Sequence, residues 1–381
     1  MNAPLEIDPG LEGVIVGRTA VSEVDGNNGR LRYRGTDVET LVEHPFAEVA
    51  ALVLLGRPGI GLTDIAGYID AVPSLSSADT ERVLALPRSL HPMQLLQSLV
   101  PVLEPAAALP SIRAEHLEAI AGGRPLPEGI ETELARGIGI ATRLPLLVAT
   151  HFAGRRITSA SEGYCTNFLE AIGAPPQPEL RHAFEVMQIL QLEHSFNASS
   201  FTARVIASTQ APIDNAIAGA IGALHGRLHG GADQAALETA DTVGTPDAAA
   251  AFVDECLRSG RKVMGMGHRE YKVLDPRARF ARDLARQVAR GTEHERTFET
   301  LAAIEARFEE RMAERGKALH ANIEFYKGVI FRALGLPPQY FTALFAMARC
   351  FGYIAHVLEA RFDNRLIRPA VVYQPLEPGS R

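Results

Sequence analysis

The sequence predicts an all-α fold with a few short strands near its termini. Apolar residues recur at helical spacing along most of the chain, and no series of alternating strands or repeat of 20–50 residues is present. At 381 residues the chain also exceeds the size at which a single hydrophobic core stops growing. We therefore expect a helical protein of two domains.

The best-marked helix begins near Pro178, a residue suited to the first turn. Its apolar face carries Leu180, Phe184 and Leu190 and runs on to His194. Four more helices are predicted, over 217–224 (ending at Gly226), 275–290, 294–315 and 338–360. Short strands are predicted at 13–21, 31–33 and 370–373.

A shift in composition near residue 225 indicates a domain boundary. A neutral helix rich in small residues gives way there to the charged stretch 255–320, and another apolar helical region follows. This order predicts a smaller domain, residues 225–330, inserted between two parts of a larger one, residues 1–224 and 331–381. Glycines 226, 230 and 231 are the candidate hinges.

The overall composition narrows the class of protein. Hydrophobic residues make up 46% and charged residues 22% of the chain, as in a soluble globular protein. The net charge of −7 argues against nucleic-acid binding. The three cysteines form no C-x-x-C pair, and the start shows no secretory pattern. The most apolar segment, 138–154, is interrupted by Arg143, Pro145 and His151, so no membrane span is expected. We therefore expect a cytoplasmic protein.

The densest polar chemistry lies at residues 261–278. A Gly-x-Gly turn leads directly into His268, and four cations follow it: Arg269, Lys272, Arg277 and Arg279. Glycine permits close backbone approach, histidine titrates near neutrality, lysine suits phosphate and arginine suits carboxylate. From this segment alone, a ligand site and a basic surface turn are equally good interpretations. The later stripe Arg279, Arg282, Arg286 and Arg290 favours a solvated helix face.

Other polar segments interrupt the predicted apolar helices: EHSFNASS (193–200), LHGRLHGGAD (224–233) and NIEFY (322–326). A lone histidine such as His194 is more often a core residue than a ligand. His225 and His229 have a spacing that suits a metal, but the surrounding glycines oppose a continuous helix, so no metal site is expected. Arg349 stands alone on an apolar helix, where a charge must be paired or must bind something, which favours a functional role.

Taken together, these segments resemble the citrate synthase family along essentially the whole chain. The matching segments follow in the family's order: residues 10–41, LHPMQLL (90–96), EHSFNASSFTARVIAST (193–209), LHGGAD (228–233), MGMGHREYKVLDPRA (264–278), NIEFY (322–326) and ARCFGYIAH…IRPA (348–370). Several independent motifs in order are far more specific than any one of them.

The resemblance implies condensation of acetyl-CoA with oxaloacetate, followed by hydrolysis of citryl-CoA. By motif position, Glu324 is the base that deprotonates the acyl methyl group. His229 is the donor to the developing enolate oxygen, and His268 polarises the keto group of oxaloacetate.

The resemblance also implies the binding residues and partners. Arg277, Arg349 and Arg368 occupy carboxylate-binding positions, and His194 adds a donor. Arg368 is expected to reach into the partner subunit's site, so a homodimer with its interface on the larger domain is implied. Lys272 corresponds to a CoA-phosphate contact, and five residues correspond to backbone lining the CoA site: Val263, Met264, Gly265, Met266 and Gly267. Acyl-CoA is then a cosubstrate, and no permanently bound cofactor is expected.

Three residues depart from the family pattern. Glu324 replaces the usual aspartate, which moves the carboxylate by roughly 1 Å. Arg227 replaces a common proline, and Glu270 replaces an apolar residue and could pair with Arg227 or Arg269. Two alternatives therefore stay open: a 2-methylcitrate synthase that uses propionyl-CoA, and a non-catalytic protein that binds oxaloacetate or CoA.

Overall fold

The computed structural model describes residues 10–56, 62–71, 74–107, 110–158 and 163–374. The predicted all-α class is confirmed, with 61% helix and 3% strand. Residues 1–9, from which the absence of a secretory pattern was inferred, lie outside the described part of the chain.

Three short strands form one antiparallel sheet in the order β1 (Ser22–Asp25), β2 (Arg30–Tyr33) and β3 (Thr36–Asp37). Ser22 pairs with Tyr33 in its register. The strand predicted at 31–33 is confirmed, whereas those at 13–21 and 370–373 are wrong. Both segments are largely exposed and find no partner strand within the described residues, so their backbone groups have no ladder to join.

The helices that the structure describes follow in chain order: α1 (Val38–Leu41), α2 (Phe46–Leu55), α3 (Leu62–Ala71), α4 (Ser77–Ala85), α5 (Pro92–Leu99), α6 (Ala114–Ala121), α7 (Ile130–Ala141), α8 (Leu144–Ala153), α9 (Tyr164–Ile172), α10 (Pro178–Gln191), α11 (Ala198–Ser208), α12 (Ile213–Leu224), α13 (Ala232–Val243), α14 (Ala249–Ser259), α15 (Pro276–Ala289), α16 (Glu295–Ala313), α17 (Ile323–Ala333) and α18 (Phe341–Phe362). All five helices predicted by spacing are present. Their ends differ from the predictions by a few residues at most, as expected where caps set the boundary.

Helix α18 forms the centre of the core. It packs against α2, α7, α10, α11 and α12, and nearly all of its side chains are buried. The segment Pro338–Phe362 has the length and apolar composition of a membrane span, but its most apolar stretch is entirely buried inside the protein. Burial on every side explains its composition, since a helix surrounded by other helices has no polar face.

Helix α17 connects the charged middle of the chain to this core. It packs against α13, α15 and α10. Side-chain caps mark the start of α17 and of its neighbour α15. The Asn322 side chain accepts from the Glu324 N–H at 2.9 Å, and the Asp275 side chain accepts from the Arg277 N–H at 3.0 Å. Both predicted functional side chains therefore lie in the first turn of a capped helix.

The turn between β1 and β2 packs directly onto residues 270–274. Lys272 donates its backbone N–H to the Gly26 carbonyl at 2.8 Å. A Cβ on Gly26 would lie 2.1 Å from the Glu270 carbonyl oxygen, so no larger residue fits there without a shift. The amino-terminal sheet thereby supports the segment that follows His268.

Candidate active site

Two chain segments are joined at the start of α17. Gly267 donates its N–H to the His320 carbonyl at 2.8 Å, Asn322 donates its N–H to the Gly265 carbonyl at 2.9 Å, and the Asn322 side-chain amide donates to the Gly267 carbonyl at 2.9 Å. Gly265 has φ +80°, and a Cβ there would lie 2.8 Å from the Phe325 ring. The Gly-x-Gly turn is thus required to bring the residues preceding His268 against the helix that carries Glu324.

The hydrogen bonds of His268 define its neutral tautomer. Its Nδ1 atom accepts from the backbone N–H groups of Glu270 at 3.0 Å and Tyr271 at 3.3 Å. The ring proton must therefore reside on Nε2, which remains available as a donor. Burial first, and then the charge of Arg277, lowers the pKa of His268 to about 4, so the imidazole is neutral at physiological pH.

His194 packs against His268 inside the same cluster. Their ring centres are 5.4 Å apart, and His194 Nε2 lies 3.2 Å from the Tyr271 hydroxyl. Burial and the nearby cation of Arg277 hold the pKa of His194 well below its usual value. A buried neutral histidine can donate a hydrogen bond without bringing a second charge to the site.

His229 lies in the loop between α12 and α13. Its Nε2 atom is 2.8 Å from the Ser199 hydroxyl. Its pKa is lowered to about 4 by burial and then by the charges of Arg349 and Lys327. The adjacent Gly230 leaves no room for a side chain, because a Cβ would lie 2.5 Å from the Leu224 carbonyl oxygen. The loop thereby holds a neutral imidazole beside two cations.

The two buried arginines differ in their partners. Arg277 makes a two-pronged contact with Asp275, with Nε–Oδ1 at 3.0 Å and Nη2–Oδ2 at 2.8 Å. Arg349 is 1% exposed, donates from Nε to the Gln191 carbonyl at 2.7 Å, and lies 4.7 Å from the centre of the Phe345 ring. Among the described residues it forms no ion pair. A buried guanidinium without a carboxylate partner is costly unless a ligand supplies one.

Glu324 does not stand alone on α17. Its Oε2 atom lies 2.5 Å from Nζ of Lys327, one turn further along the helix, and that Nζ also lies 3.2 Å from Asp233 Oδ2. Lys327 and Asp233 are buried. Burial raises the pKa of Asp233 to about 6, against the opposing effect of Lys327.

Sequence reasoning missed Lys327, Asp233 and Tyr271. A signal for Lys327 was present, since it is a lone cation within the apolar run FYKGVIF, as Arg349 is in its own helix. No such signal marked Tyr271, which becomes a partner of His194 only through the fold of the loop after His268.

Two of the remaining predicted site residues, Lys272 and Arg368, have exposed side chains. Lys272 is exposed, and its Nζ donates to the Arg269 carbonyl at 3.3 Å. Arg368 is exposed and donates to the Pro369 carbonyl at 3.0 Å; the described residues show no contact between it and the other site residues. Among the residues lining the predicted CoA site, Val263 and Gly265 are buried, whereas Met264 and Met266 are partly exposed.

The suggested ion pair of Glu270 with Arg227 or Arg269 is wrong. Glu270 and Arg227 are exposed and make no ion pair within the described part of the chain, while Arg269 approaches Glu12 at 3.9 Å. The basic stripe lies largely at the surface, as expected for a solvated face. Three of its four members pair with carboxylates: Arg279 with Glu39, Arg282 with Glu305 and Arg286 with Asp283. His225 stacks on His91 with ring centres 4.4 Å apart, and the described residues contain no cluster of three or more metal-ligating side chains.

Comparison with known proteins identifies the family. The pattern of the citrate synthase C-terminal domain matches residues 10–370. Citrate synthase of Deinococcus radiodurans is 33% identical over 386 residues, covering 96% of this chain and 95% of that protein. The chain belongs to the citrate synthase family. Glyoxysomal citrate synthase of Cucurbita maxima is 34% identical, covering 96% of this chain and 73% of that protein.

Solved citrate synthases agree in fold. The enzyme of Pyrobaculum aerophilum superposes with a TM-score of 0.84 at 32% identity, over 100% of this chain and 95% of that one. The enzyme of Thermoplasma acidophilum, solved as a ternary complex with carboxymethyl coenzyme A and oxaloacetate, superposes with a TM-score of 0.84 at 26% identity, over 99% and 97% of the two chains. In this member of the citrate synthase family, the site histidines, the buried arginines and Glu324 come from distant parts of the sequence.

Proposed function

We propose that this protein condenses acetyl-CoA with oxaloacetate and hydrolyses the resulting citryl-CoA to citrate and CoA. The observation that carries the proposal is Arg349, a buried cation that makes no ion pair among the described residues. The carboxylate of Glu193 acts on it only at longer range and contacts His356 Nε2 at 2.9 Å instead. A dicarboxylate substrate supplies the anionic partner that this guanidinium lacks. The same substrate can accept a hydrogen bond from Nε2 of His268.

Oxaloacetate is bound by charge and oriented by the histidines. Arg349 takes one carboxylate, and Arg277, held by Asp275, contributes the second cation. His194 donates to the substrate from the same cluster. His268 then directs its Nε2–H at the keto oxygen and draws electron density from the carbon that is attacked.

Glu324 and His229 activate the acyl group. Glu324 removes a proton from the thioester methyl while His229 donates to the oxygen on which negative charge develops. The Ser199 hydroxyl donates to the Asn197 side-chain oxygen at 2.8 Å and lies 2.8 Å from His229 Nε2. This contact orients the neutral imidazole with which His229 donates to the thioester oxygen.

The steps balance without a metal or redox partner. The enol carbon attacks the keto carbon, the proton on the enol oxygen returns to His229, and the new alkoxide takes the proton from His268 Nε2. Water then cleaves the thioester: its hydroxyl joins the acyl carbon and its proton joins the CoA thiolate, giving citrate and free CoA. The proton taken up by Glu324 returns to His268 through water. Water must be kept out until condensation is complete, which domain closure achieves.

We also propose the wider arrangement. Residues 225–330 act as the smaller, closing domain, supported by the mutual packing of α13 with α17 and of α14 with α16. Lys272 and residues 263–267 contact CoA. Arg368, exposed and bonded to its own chain's Pro369 carbonyl, reaches the partner subunit's site in a cytoplasmic homodimer.

A CoA-release assay tests the function. With oxaloacetate and acetyl-CoA, we expect the wild type to release CoA and Glu324→Gln to lose turnover by at least about 100-fold while still binding oxaloacetate in calorimetry. Glu299→Gln, on the exposed face of α16, is the matched control and keeps wild-type activity. Oxaloacetate binding by the wild type without CoA release would instead support the non-catalytic alternative.

The same assay with propionyl-CoA tests the acyl preference. One methylene in an apolar pocket discriminates by about 1–3 kcal/mol, so a measurable ratio of kcat/KM values is expected. A clear preference for propionyl-CoA would replace the acetyl-CoA proposal with 2-methylcitrate synthesis.

A further inference from the structure

Lys327 is the most deeply buried cation in the described part of the chain, with 0% of its side chain exposed. Its Nζ lies 2.5 Å from Glu324 Oε2, 3.2 Å from Asp233 Oδ2 and 3.0 Å from Gln191 Oε1. Burying an ammonium group costs several kcal/mol unless polar partners surround it. Two ion-paired carboxylates and one hydrogen bond, to Gln191 Oε1, surround this Nζ, which is a built arrangement and not a chance contact.

We propose that Lys327 is a positioning residue for the catalytic carboxylate of Glu324. Lys327 holds Oε2, and this leaves Oε1 to face the acyl methyl group. The inference rests on the proposed function, because it assigns Lys327 a role through Glu324 and not through contact with substrate.

The geometry explains how a glutamate works where the family usually has an aspartate. Glu324 lies in the first turn of α17 with its N–H capped by Asn322, so its backbone position is set. The side chain is one methylene longer than that of aspartate. The contact with Lys327, three residues later on the same helix face, holds the end of this longer side chain against the helix. Oε2 is buried, and the ion pair with Lys327 is its polar contact, while 12% of the side chain stays exposed.

Two aromatic rings pack around the ammonium group of Lys327 and strengthen its electrostatic interactions. Nζ lies 4.6 Å from the centre of the Phe345 ring and 5.7 Å from that of Phe331. With little water nearby, the ammonium group acts on Glu324 through a low dielectric. Its reach extends further, since its charge also contributes to the lowered pKa of His229.

The charged and titratable groups near Lys327 come from several elements. Asp233 on α13 and Glu324 on α17 are its two anions, and α10 presents the neutral Gln191. Arg349 of α18 and His229 of the preceding loop lie on the substrate side. The ion pair of Arg282 on α15 with Glu305 on α16 faces Tyr326 instead. Lys327 is therefore the cation that keeps the two neighbouring carboxylates together.

The test compares three variants of the full-length protein. Lys327→Met removes the charge, and Asp233→Asn with Lys327→Met removes the charge together with its second anion, which limits loss of stability. Arg332→Gln is the matched control, because Arg332 pairs with Asp241 between the same two helices, α17 and α13, at a partly exposed position. Urea unfolding establishes which variants are folded, and calorimetry with oxaloacetate establishes that the binding cluster is intact.

In both variants that lack Lys327 we expect kcat to fall by about 100-fold, as for a misplacement of roughly 1 Å, while the Kd for oxaloacetate stays within about threefold. Arg332→Gln should change neither. Wild-type kcat in a folded variant without Lys327 would overturn the inference.

A double-mutant cycle separates positioning from general support of the fold. Glu324→Asp shortens the side chain out of reach of Lys327. The loss of kcat in the double variant Glu324→Asp with Lys327→Met should therefore be smaller than the product of the two single losses, by about tenfold or more. Effects that multiply within about twofold would mean that Lys327 does not act through Glu324.

Infrared spectroscopy at one fixed pH reports on the same contact without turnover. The carboxylate band that is lost in Glu324→Gln identifies Glu324, and its frequency should shift in Lys327→Met, because the ion pair at Oε2 is removed. An unchanged frequency would contradict the inference. If the band shifts in Lys327→Met but the wild type releases no CoA, only the proposed function fails.

Discussion

Replacing Arg349 with methionine separates substrate binding from fold stability. Methionine keeps the unbranched stem beside Phe345 and removes the guanidinium. Each charge-assisted hydrogen bond to a carboxylate is worth about 1.5–3 kcal/mol, and a two-pronged contact contains two of them. We therefore expect the Kd for oxaloacetate to rise by at least about 100-fold.

The effect on folding should be small. The variant loses the bond from Nε to the Gln191 carbonyl, worth about 1–3 kcal/mol. It also removes a buried charge that lacks a carboxylate partner among the described residues, which offsets that loss. We expect the free energy of unfolding of the ligand-free protein to change by no more than about 2 kcal/mol.

Arg143 provides the matched control. It is equally buried, at 1% exposed, but its guanidinium donates to the Gly139 and Glu104 carbonyls at 2.6 and 2.8 Å and lies 3.7 Å from Asp79. Arg143→Met should lower the unfolding free energy by roughly 1–3 kcal/mol and leave oxaloacetate binding unchanged. Calorimetry and urea unfolding of both variants check the pair. Unchanged oxaloacetate binding in folded Arg349→Met would refute the carboxylate assignment.

Two further predictions concern acid stability and the Gly-x-Gly turn. His229 and His268 have folded-state pKa values of about 4 against an ordinary value of 6.5, so the unfolded chain binds more protons between these limits. The free energy of unfolding should therefore rise with pH from about 4 to 6.5 and fall as pH is lowered through that window. Urea unfolding at pH 7 and 4.5 should show a smaller loss of stability for His268→Asn than for the wild type. An equal loss would contradict the burial argument. Gly265→Ala should destabilise by about 2–4 kcal/mol, because φ is +80° and a Cβ meets Phe325 at 2.8 Å. Gly267→Ala, with φ +83° and no neighbour closer than 3.9 Å, should cost only about 1 kcal/mol, and equal losses in thermal unfolding would show that Phe325 is not the constraint.

Helices were predictable where one face had to be buried. The spacing of Leu180, Phe184 and Leu190 was enough to place α10, and the apolar run in 338–360 was enough to place α18. Strands were not predictable in the same way, because a strand exists only with a partner. Residues 31–33 find one in β1, whereas 13–21 and 370–373 find none within the described chain.

For the site, the sequence by itself determined the residue types and their family. The order of the motifs led to His194, His229, His268 and Glu324, and a lone cation in an apolar helix pointed to Arg349. These inferences need no coordinates, because they depend on chemistry that each segment carries alone.

Only the tertiary structure decided which of these groups are paired and in what state. It pairs Arg277 with Asp275, leaves Arg349 without an ion pair among the described residues, and directs two backbone N–H groups at His268 Nδ1. It also places Lys327 against Glu324, which makes sense of the departure from aspartate. The paired residues are only two or three apart in sequence, but their contacts depend on the backbone conformation of the turn after His268 and of the first turns of α15 and α17, and tertiary packing sets that conformation.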